Sequence, residues 1–226
     1  MDNILNYPQS TVVNRVVPKT MFYKFMEVNP RMKTHFVNDV VNITWLYKLS
    51  AGTLNVMDAD SLKEIEVFVA QLKQPDCPPD LFSFIDANMP HHIVFILTHN
   101  ENAMLLINYK DWTDNIHTKF RITQTFSSPW AAITELSLAV QGQSLPRIYD
   151  NFVAQISGIG EHKAGTMSEI VTLRQTIAKA EAELQALQKR MRREPQFDVQ
   201  MQINKQVKAK RREITELKEQ LEKLDL

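Results

Sequence analysis

The chain has 226 residues, 44% of them apolar, with 26 acidic and 26 basic side chains. That length makes one or two domains, and the composition is that of an ordinary globular protein. The longest apolar runs, IVFIL at 93–97 and MLLI at 104–107, fall far short of the roughly 20 residues a membrane-spanning helix needs. MDNILNYPQS carries an early acid and no apolar segment, so no secretory signal is expected. A single cysteine excludes an internal disulfide framework and a cysteine-rich zinc site, and it fits a reducing cytoplasm, the expected location.

The N-terminal segment reads as a polar arm packed along the domain. Within it, Arg15, Lys19 and Lys24, with Tyr7 and Tyr23, are candidates to touch a nucleic acid or a partner. RMKTHFVNDVV, 31–41, predicts a helix with Met32, Phe36, Val37 and Val40 on one face. VNITWLYKLS, 41–50, predicts a strand. KEIEVFVAQLKQ, 63–74, is apolar on both faces and predicts a central strand covered on both sides. Pro75, Pro78 and Pro79 close it, and PPDLFSFIDANMP begins a short helix at a proline pair. HHIVFILTH, 91–99, and MLLINYKDW, joined by the turn NENAM, predict a hairpin. FRITQTF, 120–126, alternates like an edge strand. LPRIYDNFVAQIS, 145–157, predicts a helix with Ile148, Tyr149, Phe152 and Ile156 inward. The expected fold is therefore α/β (α+β), a small mixed sheet flanked by helices, over residues 1–156.

SGIGEHKAG holds three of the chain's five glycines and marks a linker at 157–165. Beyond it, 166–226 reads as an antiparallel coiled-coil hairpin. Ile170, Leu173, Ile177, Ala180, Leu184, Leu187 and Met191 make one heptad seam; Ile203, Val207, Lys210, Ile214, Leu217, Leu221 and Leu224 make another. Folding the chain back near Pro195 sets Leu187 against Ile203, Ala180 against Lys210 and Ile170 against Leu221, each seam layer meeting another. Pro195 would break a single continuous helix. The turn falls near 194–198, with Asp198 placed to cap the second helix. Residues 189–212 carry nine basic side chains against two acids, a net of +7, on an otherwise acidic chain.

The blocks STVVNRVVPKTMFY, ITWLYKLSAGTLN, EIEVFVAQLK, IDANMPHHIVFIL, INYKDW, YDNFVAQI and REPQFDVQMQIN cover nearly the full length. In these the chain resembles a bacterial family known as domain of unknown function 4391. The resemblance carries no established activity. It implies a setting, since such genes stand beside helicases and DNA methyltransferases in restriction-like or anti-phage clusters.

The sharpest enzymatic reading is a Mg²⁺-dependent nuclease of restriction-endonuclease-like fold, either active or degenerate. It would take Asp58 or Asp60 as the metal-holding acid and Gln71 with Lys73 for the usual E-x-K pair. A glutamine is a poor ligand for a hard cation, and both aspartates precede the strand. Without that activity no cofactor is expected. Adjacent His91 and His92 point to opposite faces of a strand and cannot chelate one metal, and His99 has no second ligand at a useful spacing. Cys77, between prolines, has no base beside it to make it a nucleophile. Trp45, Tyr47, Trp112 and Trp130 are read as core aromatics before base-stacking ones. No glycine-rich phosphate loop occurs.

The strongest functional feature is the basic hairpin end: Lys189, Arg190, Arg192, Arg193, Lys205, Lys208, Arg211 and Arg212, with Phe197 off the seam. The expected function is that of a non-catalytic accessory subunit of a DNA-directed complex. That end would dock on a protein such as a helicase or methyltransferase subunit, or make sequence-independent contact with DNA.

Overall fold

A computed structural model describes residues 4–76, 79–112, 120–159 and 167–224, with backbone alone at 111 and 112. Cys77, most of the expected linker and the side chain of Trp112 lie outside the described residues. The chain divides into two compact units, Met1–Ile159 and Gly160–Leu226.

The first unit is a seven-stranded mixed sheet with helices. Its strands are β1 (Val12–Val17), β2 (Val40–Ser50), β3 (Glu64–Leu72), β4 (His92–His99), β5 (Asn102–Trp112), β6 (Phe120–Ser127) and β7 (Ala131–Ala132). They lie in the order β1-β2-β3-β4-β5-β6, with β7 also on β5. β3 and β4 run parallel and every other pair is antiparallel. The helices are α1 (Lys19–Phe25), α2 (Pro30–Asn38), the single turn α3 (Ala51–Leu54), α4 (Asp80–Ala87) and α5 (Leu145–Ser157).

β3 is the central strand its two apolar faces predict. Phe68, Ala70 and Leu72 join Phe36, Phe82, Ile85, Phe95 and Leu97 in one buried cluster under α2 and α4. Val67 and Val69 are equally buried on the opposite face, as alternation along a strand requires. Ile148, Tyr149, Phe152 and Ile156 of α5 are all buried, as expected from their spacing. Gly158, at φ 68°, ends α5 in the left-handed conformation that glycine adopts without steric cost.

The N-terminal segment departs from the expected arm. It supplies the edge strand β1, antiparallel to β2, and then α1. Tyr7 is buried between Tyr47 and Phe152, and its hydroxyl donates to the Leu138 carbonyl at 2.7 Å. Tyr23 packs edge-on against Phe36. Lys19 Nζ donates to the carbonyls of Phe36 and Val40, both at 2.6 Å. These contacts hold the segment to the sheet and to the C-terminal end of α2.

The second unit is two long helices, α6 (Met167–Arg193) and α7 (Phe197–Leu224), packed together. They run antiparallel: Gln200 Nε2 donates to the Met191 carbonyl at 3.2 Å, and Lys210 Nζ reaches Glu183 at 2.9 Å. Every described seam position is buried or half-buried, and Ile170, Ile177, Ala180, Ile203, Val207 and Ile214 are buried. Lys210 lies against the small Ala180 layer as predicted, but its ammonium ends between Glu183 and Glu213. Asp198 is not the cap of α7. The helix already begins at Phe197, so Asp198 sits inside the first turn, where its charge still complements the helix dipole.

Candidate functional site

Phe197 is 71% exposed at the first position of α7. Lys189, Arg190, Arg192, Arg193, Lys205, Lys208, Arg211 and Arg212 form no ion pair with any described residue. Towards the other end, Lys210 and Lys218 are paired with Glu183, Glu213 and Glu181. Arg174, Lys179 and Lys223 there are likewise without an ion pair to a described residue, but acids outnumber bases, so the hairpin is basic towards its turn and acidic towards its other end.

The residues of the nuclease reading do not converge. Asp58 and Asp60 precede β3, are exposed, and both bind Lys63. Gln71 lies near the far end of β3 and Lys73 just past it, so most of the nine-residue strand, roughly 26 Å long at 3.3 Å per residue, separates them from the aspartates. Gln71 accepts from Asn42 at 3.0 Å. Lys73 Nζ donates to the Val37 carbonyl at 2.7 Å. Together with Lys19 it satisfies carbonyls left open at the C-terminal end of α2, a favoured place for a cation.

A different polar cluster lies on the α4-facing side of the sheet. Asp86 of α4 and Lys110 of β5 are fully buried and paired at 2.6 Å. Lys110 Nζ also donates to the carbonyls of His91 at 2.8 Å and Met89 at 3.3 Å, and stands 4.7 Å from the Phe120 ring centre. Asn108 Nδ2 donates to Asp86 Oδ2, while its own Oδ1 accepts from Ser83 and Thr125. The Tyr149 hydroxyl donates to the Asn108 carbonyl. Burial pushes the Asp86 carboxyl up and the Lys110 ammonium down, with each opposing the shift of the other.

Beside this pair stand Glu64, Glu66 and His91. Lys48 Nζ binds Glu64 Oε1 at 2.6 Å, and His91 Nε2 lies 3.6 Å from Glu64 Oε2. Glu66 is buried, and burial followed by the charge of Glu64 raises its pKa to about 7. It lines a pocket of about 300 Å³ with Arg15, Trp45, Phe68 and Met89. Trp45 is thus a pocket wall, not an open stacking platform. His92 points to the opposite face, against Phe120 and Tyr149, where burial lowers its pKa to about 3. The two histidines do not share a site, as alternation requires. His91 instead finds its neighbours on β3. The overlooked signal was Glu66, an acid in a strand apolar on both faces.

The fold and these features define a two-unit protein, a mixed α/β sheet unit and an antiparallel helical hairpin. The chain belongs to the family described as Domain of unknown function (DUF4391), whose model matches residues 5–222. No curated protein matches the chain, and no solved structure does. Among the described residues no helix is long and apolar enough to cross a membrane.

Proposed function

We propose that this protein is a non-catalytic accessory subunit of a bacterial DNA-directed machine, of the restriction-like or anti-phage kind. It docks on an acidic surface of a protein partner, such as a helicase or methyltransferase subunit, through the basic end of its hairpin. The observation that carries this reading is the uncompensated charge at that end, eight cations with no ion pair to a described residue, beside the exposed Phe197. Crowded like charges repel, and an acidic partner relieves that repulsion while steering the encounter. Arginine and aromatic side chains are also the residue types that dominate binding energy at interface centres. The net +7 favours a second reading, sequence-independent contact with DNA phosphates, whose affinity would fall steeply with salt.

The test is co-purification of the chain with the products of its neighbouring genes. The variant carries Arg190→Glu, Arg192→Glu, Arg193→Glu and Phe197→Ala, with helicity checked by circular dichroism. The expected result is loss of the partner with the helices intact. Unchanged recovery would overturn the docking reading. Recovery abolished by nuclease treatment of the wild-type sample would shift it to the DNA contact.

A further inference from the structure

The polar cluster of the α/β unit has no part in docking by the hairpin. We propose that Glu64, Glu66 and His91 form a binding site for a divalent first-row transition-metal ion, such as Mn²⁺, Co²⁺ or Zn²⁺, opening onto the pocket beside β1. The site and the docking surface belong to different units, so either proposal stands without the other.

The placement follows from strand geometry. Glu64 and Glu66 are two residues apart on β3 and share a face. β4 runs parallel beside it, with His92 opposite Ile65 and Ile93 opposite Glu66. His91 therefore comes level with Glu64 on the same face. One ligand atom from each of the three residues lies within 4.8 Å of the other two. An ion bonded to nitrogen and oxygen at about 2.0–2.2 Å sets its donors roughly 3–4 Å apart, so a small closure of the side chains completes the set.

The state of Glu66 points independently to a ligand. The residue is only 5% exposed, lines the pocket, and its carboxyl makes no hydrogen bond or ion pair with a described residue. A buried carboxylate without a partner is costly, and Glu64 beside it adds repulsion. Arg15 lines the same pocket without an ion pair to Glu66, and the two nearby lysines are committed elsewhere. Lys48 is on Glu64, and Lys110 is on Asp86 and the carbonyls of Met89 and His91. A divalent ion supplies the missing positive charge.

Donor chemistry selects the ion. Two carboxylates and an imidazole suit Mn²⁺, Co²⁺ or Zn²⁺ better than Ca²⁺, which takes six to eight oxygens, or Mg²⁺, which keeps most of its water. Three protein ligands leave coordination positions open. Arg15, Trp45, Phe68 and Met89 provide room there for water or for an oxygen-bearing ligand. The bond from Lys110 to the His91 carbonyl fixes the strand end that presents the imidazole.

The test is calorimetric titration of the chelator-treated full chain with MnCl₂, CoCl₂ and ZnCl₂, with visible absorption of the Co²⁺ form. The expected result is one ion per chain, with cobalt ligand-field bands. Glu66→Gln and His91→Ala should each weaken binding by about 100-fold or more, since even an outer-shell loss costs 10–100-fold. Lys48→Met, which removes a competing cation, should tighten it. His91 is partly exposed, so its variant should fold; near-ultraviolet circular dichroism checks both ligand variants. No binding of any of the three ions up to about 1 mM, the weakest range of biological cation sites, would overturn the proposal. Binding that survives both ligand variants in folded protein would overturn it equally.

Discussion

Replacing Lys110 by methionine keeps most of the side-chain volume and removes the ammonium. Asp86 would then be left fully buried with neutral donors alone, the Asn108 amide at 2.9 Å and the Ile93 backbone N–H, having lost the ammonium at 2.6 Å. Breaking one side of a buried pair costs about 3–5 kcal/mol, because the remaining charge cannot reach water. The carbonyls of His91 and Met89 also lose a donor. The double variant Asp86→Asn/Lys110→Met keeps an acceptor for Asn108 and carries no buried charge, so it should recover about 2 kcal/mol of that loss. Urea unfolding followed by tryptophan fluorescence isolates the effect, because all three tryptophans lie before residue 160 and none lies in the hairpin. The sign with pH is fixed. In the single variant the stranded carboxyl has a folded pKa raised above its unfolded value. The folded state then binds the extra proton, and the deficit shrinks as pH falls through the raised pKa. A single variant losing less than about 1 kcal/mol, or a double variant no better than the single one, would refute the description of Lys110 as the neutralising partner of a buried acid.

Phe197→Ala should leave the thermal melt of the hairpin within about 0.5 kcal/mol of wild type, since the ring is 71% exposed, while weakening partner recovery. Ile177→Ala, on the buried seam, should cost about 2 kcal/mol and lower the melting temperature read at 222 nm. Lys19→Ala should cost about 1–2 kcal/mol in urea unfolding, because it frees α1 from the carbonyls of Phe36 and Val40. His92 stays unprotonated down to about pH 3 in the folded state, whereas the unfolded chain takes up that proton near 6.5. Stability should therefore fall as pH drops below 6.5, by up to about 1.4 kcal/mol per unit from this group, and His92→Phe should flatten that slope in a pH series of urea titrations.

Elements written by periodicity were legible in the sequence. β3 announced its central place through Val67 and Val69 on one face and Phe68 and Ala70 on the other. The hairpin register followed from matching heptads, because each seam layer needs a partner of suitable size. β1 and α1 were not legible. β1 is short, bulged between Val12 and Arg15, carries Asn14 at φ 47°, and exposes Val16 at the sheet edge, so it lacks an alternating signature. The start of α1 at Pro18 has no capping side chain. The polar clusters were hidden for another reason. Asp86 finds Asn108 and Lys110 only through the packing of α4 on the sheet, and Glu64 finds His91 only through strand pairing, each across more than twenty residues. Lys73 showed the opposite failure: a residue with the right chemical type for catalysis serves to close the end of α2.

The order of the main strands in space repeats their order along the chain. Each strand from β2 to β6 can add to the edge left by the one before it, and the longest closures are the step from β1 to β2, through α1 and α2, and the parallel step from β3 to β4, through α4. α6 and α7 likewise meet across a short turn. Such near-neighbour pairing keeps the entropy of closing loops small and favours rapid folding. It also lets the sheet grow from its N-terminal side as the ribosome delivers each strand, with few exposed edges waiting for distant partners.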